Sequence, residues 1–147
     1  MAIFELSEAT VQQLIQSTKY CERQLSRQDK SVGKIKDDTP VIDFTHNIEY
    51  TLHRYRHPID PSRFSIHLRF KITNAILIRI DINNGTHTNP DGTKIGQNHM
   101  HLYRESAGPR KDAIAMPLPD DIHNISTFLL VLDAFLAYTH IKQYHKA

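Results

Sequence analysis

The chain has a single cysteine, Cys21, among its 147 residues. One thiol excludes an internal disulfide and a thiolate metal cluster, and it suits a reducing compartment. Long apolar runs are missing too. The most apolar stretch, "ISTFLLVLDAFLAY" at 125–138, is shorter than a membrane span and carries Asp133 in its middle. The first residues, "MAIFELSEATVQQL", lack a basic segment followed by an apolar one, so no signal peptide is expected and the cytoplasm is the expected location. Charge of one sign is scarce: 18 Lys and Arg against 16 Asp and Glu give +2, with a pI near 8.7. That is too little to establish nucleic-acid binding, and it excludes an acidic DNA mimic. No phosphate-binding glycine loop, no Gly-x-Ser-x-Gly elbow and no internal repeat occurs, and "HNIEY" is not His-Glu-x-x-His.

What is abundant is histidine, at ten residues. A length of 147 residues, with 39% hydrophobic and 23% charged side chains, fits one globular α+β domain, 1–147. Ser7 is placed to cap a first helix whose face is Val11, Leu14, Ile15, Thr18 and Leu25. Residues 26–39 are charged, contain Gly33, and read as an exposed connection. From Val41 to Leu52 the period changes to two, predicting a strand with Ile42, Phe44, Ile48, Tyr50 and Leu52 on one face and His46 inward with them. "RHPIDPSR" ends it, since two prolines do not fit a central strand.

Phe64 to Phe70 alternate as a second strand. "ILIRIDI" at 76–82 is a third, with four isoleucines on one face and Leu77, Arg79 and Asp81 on the other. After two turns, "NNG" and "NPDG", comes "HMHLYRE", with His99, His101 and Tyr103 opposite Met100 and Leu102. A Pro-rich loop then leads to a helix from about Ser126 to His140, with Phe128, Leu129, Leu132, Phe135 and Leu136 as its stripe. Leu130, Val131 and Ala137 widen the stripe, which suits deep burial and also a homodimer or protein-partner surface. The expected fold is therefore a helix, a four-stranded, mainly antiparallel sheet, and a C-terminal helix, the helices covering the isoleucine face.

Three histidines stand out: His87, His99 and His101. Two residues apart on a strand means one face, with Cα atoms about 6.5 Å apart. Imidazoles so placed can reach one ion at about 2.0–2.1 Å. A loop folding back brings in His87, and Asp81 is placed as the fourth ligand or as the carboxylate that orients an imidazole. Nitrogen and oxygen donors without thiolate favour zinc over nickel or iron. His46, His67 and His123 read as ordinary surface or core residues, His123 being the best outside candidate for a remaining position. His140 and His145 read as C-terminal helix residues. The same cluster suits metal-free RNA cleavage, with His99 and His101 as base and acid and Arg79 as the cation, because Arg104 faces away by strand parity. Tyr103 is then available to stack on a base.

The pattern Arg79, Asp81, Asn84, Gly85, His87 and Asn89, then His99, His101 and a final amphipathic helix, resembles a family of small bacterial and phage proteins known only as a domain of unknown function. The resemblance covers roughly Phe64 to Ile141. The "Asp-Asn-x-x-His…His-x-His" spacing is also similar to RelE-type ribonuclease toxins, from which the chain departs in having no tryptophan before the Asp and a longer turn. Small proteins on phages include zinc-dependent CRISPR inhibitors. The resemblance thus implies a zinc-binding inhibitor of a Cas9-type nuclease, acting by protein binding, or else an endoribonuclease toxin of a toxin–antitoxin pair, which alone brings in nucleic acid. The histidine spacing reads as a closed ligand set, placing inhibitor before enzyme. No membrane role is expected.

Overall fold

The computed structural model describes residues 5–26 and 33–143. Helix α1, Glu8–Gln16, begins where Ser7 accepts a bond from the Thr10 amide at 3.1 Å and buries Val11, Leu14 and Ile15. The strands are β1 (Lys19–Cys21), β2 (Ile35–Asp43), β3 (Ile48–Arg56), β4 (Phe64–Phe70), β5 (Ile76–Ile82), β6 (His87–Thr88), β7 (Lys94–Ile95), β8 (His99–Leu102), β9 (Ala115–Pro117) and β10 (Ile141–Lys142). Helix α2, Phe128–Tyr138, is capped by Thr127 and precedes β10. Eight strands form one sheet in the order β10-β1-β2-β3-β4-β5-β8-β9, antiparallel except where β1 meets β10, and β6 and β7 form a separate ribbon.

The α+β class and the two helices agree with expectation, but the sheet has eight strands instead of four. Part of the difference is that 41–52 is a hairpin. Residues 44–47 form its turn, where the His46 amide and Nδ1 bond to the two Asp43 carboxylate oxygens at 3.0 and 2.9 Å and Asn47 takes φ 54°. A short polar side chain bonding nearby backbone makes such a turn cheap, and the alternation simply runs across it. His46 therefore sits in a turn, and Phe44 is exposed while Val41 and Asp43 are the inward residues of β2. Residues 35–39, expected in the exposed connection, belong to β2, where the Arg54 guanidinium pairs with Asp37 and supports the charged strand. Residues 27–32 of that connection lie outside the described residues.

The helices and one sheet face share one apolar core. Val11, Leu14 and Ile15 of α1 and Val131, Leu132 and Phe135 of α2 join Leu52, Ile66, Leu68, Ile78, Ile80 and Ile82. Phe64 meets Phe128 edge to face at 5.3 Å. The wide stripe of α2 is largely accounted for by this core, Leu130 being its one exposed large residue. Helix α2 ends at Tyr138, and His140, expected in the helix, is a left-handed residue (φ 56°) leading into β10. His145 lies outside the described residues. No helix among the described residues is long and apolar enough to cross a membrane.

The opposite face of the sheet is polar. A register shift between β4 and β5 at Leu68/Arg69 places Ile76 opposite Arg69, so Ile76 leaves the isoleucine row and Leu77 is buried. Asp38, His53, His67, Arg79 and His101 are successive cross-strand partners and so form one row across five strands of that face.

Candidate metal site

Strands β5 and β8 build the centre. Their register sets Asp81 opposite His99 and Arg79 opposite His101, while Ile80 and Met100 of the same pair point into the core. The His-x-His parity thus does what the sequence predicted. The Nε2 atoms of His99 and His101 lie 3.2 and 3.3 Å from Asp81 Oδ2. All three residues are buried, and their donor atoms lie within 4.8 Å of one another, a group that can hold a metal ion.

Both imidazoles are held by backbone carbonyls. His99 Nδ1 donates to Gly96 O at 2.6 Å and His101 Nδ1 to Asp112 O at 2.7 Å. A proton on each Nδ1 leaves each Nε2 with its lone pair, the tautomer a metal requires. Burial by itself would raise the Asp81 carboxyl. The positive charge of Arg79 beside it acts against burial, and Asp81 is held below the usual carboxylate range.

Arg79 joins the centre as a resident cation. Its Nε donates to Asp81 Oδ2 at 3.1 Å, one terminal nitrogen to Asp112 Oδ2 at 2.9 Å, and the other to His101 Nε2 at 3.0 Å. Arg104 does face away and pairs with Glu8 on α1. Asp112, in a loop that shows no periodic signal, fixes both His101 and Arg79. Sequence reasoning missed it.

His87, on β6, lies beside the centre as expected, its ring 4.8 Å from that of His101 and 5.9 Å from that of His99. Its Nε2 donates to Ala113 O at 2.7 Å, and it is not part of the three-donor group. Asn89 pins this ribbon to β9 by a pair of bonds to the Ala115 backbone, at 2.7 and 2.9 Å. Tyr103, expected beside His99 and His101, lies beyond the end of β8, buried edge-on to Phe70 with its hydroxyl on Glu105. Parity fails there because the strand has ended. His123 is exposed and bonds Asp120 O, away from the centre.

The centre opens into a cavity of about 470 Å³ that Tyr55, Ser65, His67, Arg79, Asn84 and Thr86 also line. That volume lies in the range of small-ligand sites. Farther along the row His53 donates from Nδ1 to Asp38 at 2.7 Å and stacks on His67, with ring centroids 4.8 Å apart. Burial, then the charges of His53, Arg69 and Arg79, push the His67 imidazole down to about 4, so it is neutral at physiological pH.

Fold and site together describe an α+β protein that carries a buried Asp-His-His cluster, with the half-buried Arg79 against it, on the polar face of an antiparallel sheet. The chain belongs to DUF6978, a family of unknown function, whose pattern it matches over residues 6–141. Neither a curated protein nor a solved structure matches it.

Proposed function

We propose that this chain is a zinc protein with an open centre, in which Asp81, His99 and His101 hold the ion and its remaining coordination position faces the pocket. The reading rests foremost on the two N···O distances of 3.2 and 3.3 Å. For bonds of 2.0–2.1 Å, neighbouring donors around a tetrahedral zinc stand about 3.3–3.4 Å apart. Charge-assisted hydrogen bonds between the same atoms would run about 2.7–2.9 Å. Both imidazole-to-carboxylate spacings therefore suit an ion better than a shared proton, and the three donors together lie within 4.8 Å of one another. Two imidazoles and a carboxylate without thiolate favour zinc, and the same set with open positions also suits iron(II).

Three protein donors with a free position are the pattern of catalytic zinc, whereas structural sites are closed by a fourth. With the Nε2 of His87 on Ala113 O, an open centre of hydrolytic type is the better match. When bound, the ion supplies Lewis acidity at that position. Metal analysis of protein purified without chelator should find about one zinc per chain, with iron and nickel measured alongside. His101→Ala should abolish it while the fold persists, because the donors sit on strands of the main sheet. A folded chain that takes up no zinc at micromolar concentration would sink the proposal.

One observation favours a second reading. The Arg79 guanidinium on His101 Nε2 is the cation-and-imidazole pair that metal-free RNA cleavage through the 2′-hydroxyl needs, with His99 as the other imidazole. RNA cleavage that persists in excess chelator and disappears in Arg79→Ala would select it. The inhibitor of a Cas9-type nuclease stays a proposal carried by the resemblance to phage proteins. Co-migration with such an effector and reduced DNA cleavage are its test.

A further inference from the structure

We propose that the pocket takes the phosphate group of a phosphate ester, and that it does so only when the metal is present, because the metal releases Arg79 to become part of the anion site. The inference rests on the zinc reading above. Its starting point is a conflict over one lone pair. His101 carries its proton on Nδ1, held by Asp112 O, so Nε2 has a single in-plane acceptor position. Arg79 now occupies it at 3.0 Å. A metal ion at Nε2 and the guanidinium bond to the same lone pair exclude each other.

Metal uptake therefore frees a guanidinium N–H beside the centre. The side chain keeps a tether through its other terminal nitrogen on Asp112, while Nε, which shares Asp81 Oδ2 with the ion, shifts with the rigid guanidinium plane. The freed donor then lies next to the metal's remaining coordination position. A planar guanidinium beside a divalent cation is a strong clamp for phosphate oxygens. Ser65 and Thr86 line the same cavity and offer hydroxyl donors to the oxygens left over. Three groups of donors suit a tetrahedral oxyanion better than a planar carboxylate with two oxygens.

Charge gives the same order of events. Asp81 and Asp112 balance Arg79 and the rim residue Arg110, which approaches Asp112 at 3.5 Å, so these four side chains sum to zero. A divalent ion raises the sum to +2. Without the metal the pocket presents no net attraction to a phosphate and no free fork. With it, both appear together.

Cobalt(II) substitution tests this without an activity assay, because the visible absorption of the ion reports its ligands. Adding millimolar inorganic phosphate, or dimethyl phosphate for the diester arm, should change the spectrum, and acetate should do so more weakly. In metal-free protein the same phosphate should leave the melting temperature unmoved. Arg79→Gln should keep the cobalt spectrum and lose phosphate affinity by about tenfold or more. Arg79→Lys, which preserves charge without the fork, should fall between and serves if the glutamine variant does not fold. A normal cobalt spectrum that phosphate leaves unchanged overturns this inference and spares the zinc reading. Equal phosphate binding without metal, or acetate binding as tightly as phosphate, also overturns it. Absence of any cobalt spectrum removes both.

Discussion

Two groups of buried charge sit on opposite sides of this sheet, and they are satisfied in opposite ways. On the core side, Lys19 is fully buried and its ammonium donates to Ile15 O, Ser17 O and Thr139 O at 3.0, 2.8 and 2.8 Å. Three N–H bonds meet three carbonyls at the C-terminal ends of α1 and α2, where the helix dipoles favour a cation. Nothing is left over. On the polar face, Asp81, His99 and His101 aim three acceptor atoms at one another, and the one cation among them, Arg79, faces a cavity. Burial of charge is common to both. What separates a structural cluster from a candidate site is whether its hydrogen-bonding capacity is already closed.

The largest expected effect breaks the closed side. Lys19→Met leaves three buried carbonyls without their donor and should cost about 3–5 kcal/mol in urea unfolding. A loss below about 1 kcal/mol would mean that the ammonium is no keystone. Asp81→Asn should act the other way round: a modest loss of stability, and zinc affinity reduced about 100-fold in competition with a chromophoric chelator. Comparable effects of both substitutions on stability would erase the contrast.

Acidity sharpens it further. Burial, partly opposed by the Asp43 charge, pushes Lys19 down to about 8 from its ordinary 10.5. Between those values the unfolded chain binds more protons than the folded one, so stability should rise with pH across that window, and Lys19→Met should flatten the rise. His67, at about 4 against an ordinary 6.5, gives a second limb of the same sign. Stability should fall as pH drops from 6.5 toward 4, and His67→Gln should reduce the fall in melting temperature. The smallest effect belongs to His87. His87→Ala should change zinc affinity less than about threefold, well short of the 10- to 100-fold typical of a hydrogen-bonded partner of a ligand. A loss equal to that of His101→Ala would make His87 the fourth ligand.

Much of the centre was legible because strand parity is local. Arg79, Asp81, His99 and His101 fall on the polar side of β5 and β8 by counting in twos, and the loop did return His87 to them. Counting failed where the chain did something local rules do not encode. The Asp43–Asn47 turn split one apparent strand into two, the bulge beside Arg69 turned Ile76 outward, and Tyr103 followed its own packing once β8 ended. The very short strands β1, β9 and β10 of the main sheet, like β6 and β7 of the ribbon, carry too few residues to show a period at all.

Taken alone, the order of residues determined which side chains share a face, because successive Cβ atoms alternate within any strand. It also determined the Ser7 cap and most of the stripe that the last helix buries, whereas the first helix stops at Gln16, short of the expected Thr18 and Leu25. Only tertiary pairing decided that Asp81 stands opposite His99, that Asp112 reaches both His101 and Arg79, and that Asp38, His53 and His67 extend the same row. The reason is physical: register between strands depends on bonds formed across long stretches of chain, and neither parity nor propensity within one segment carries that information.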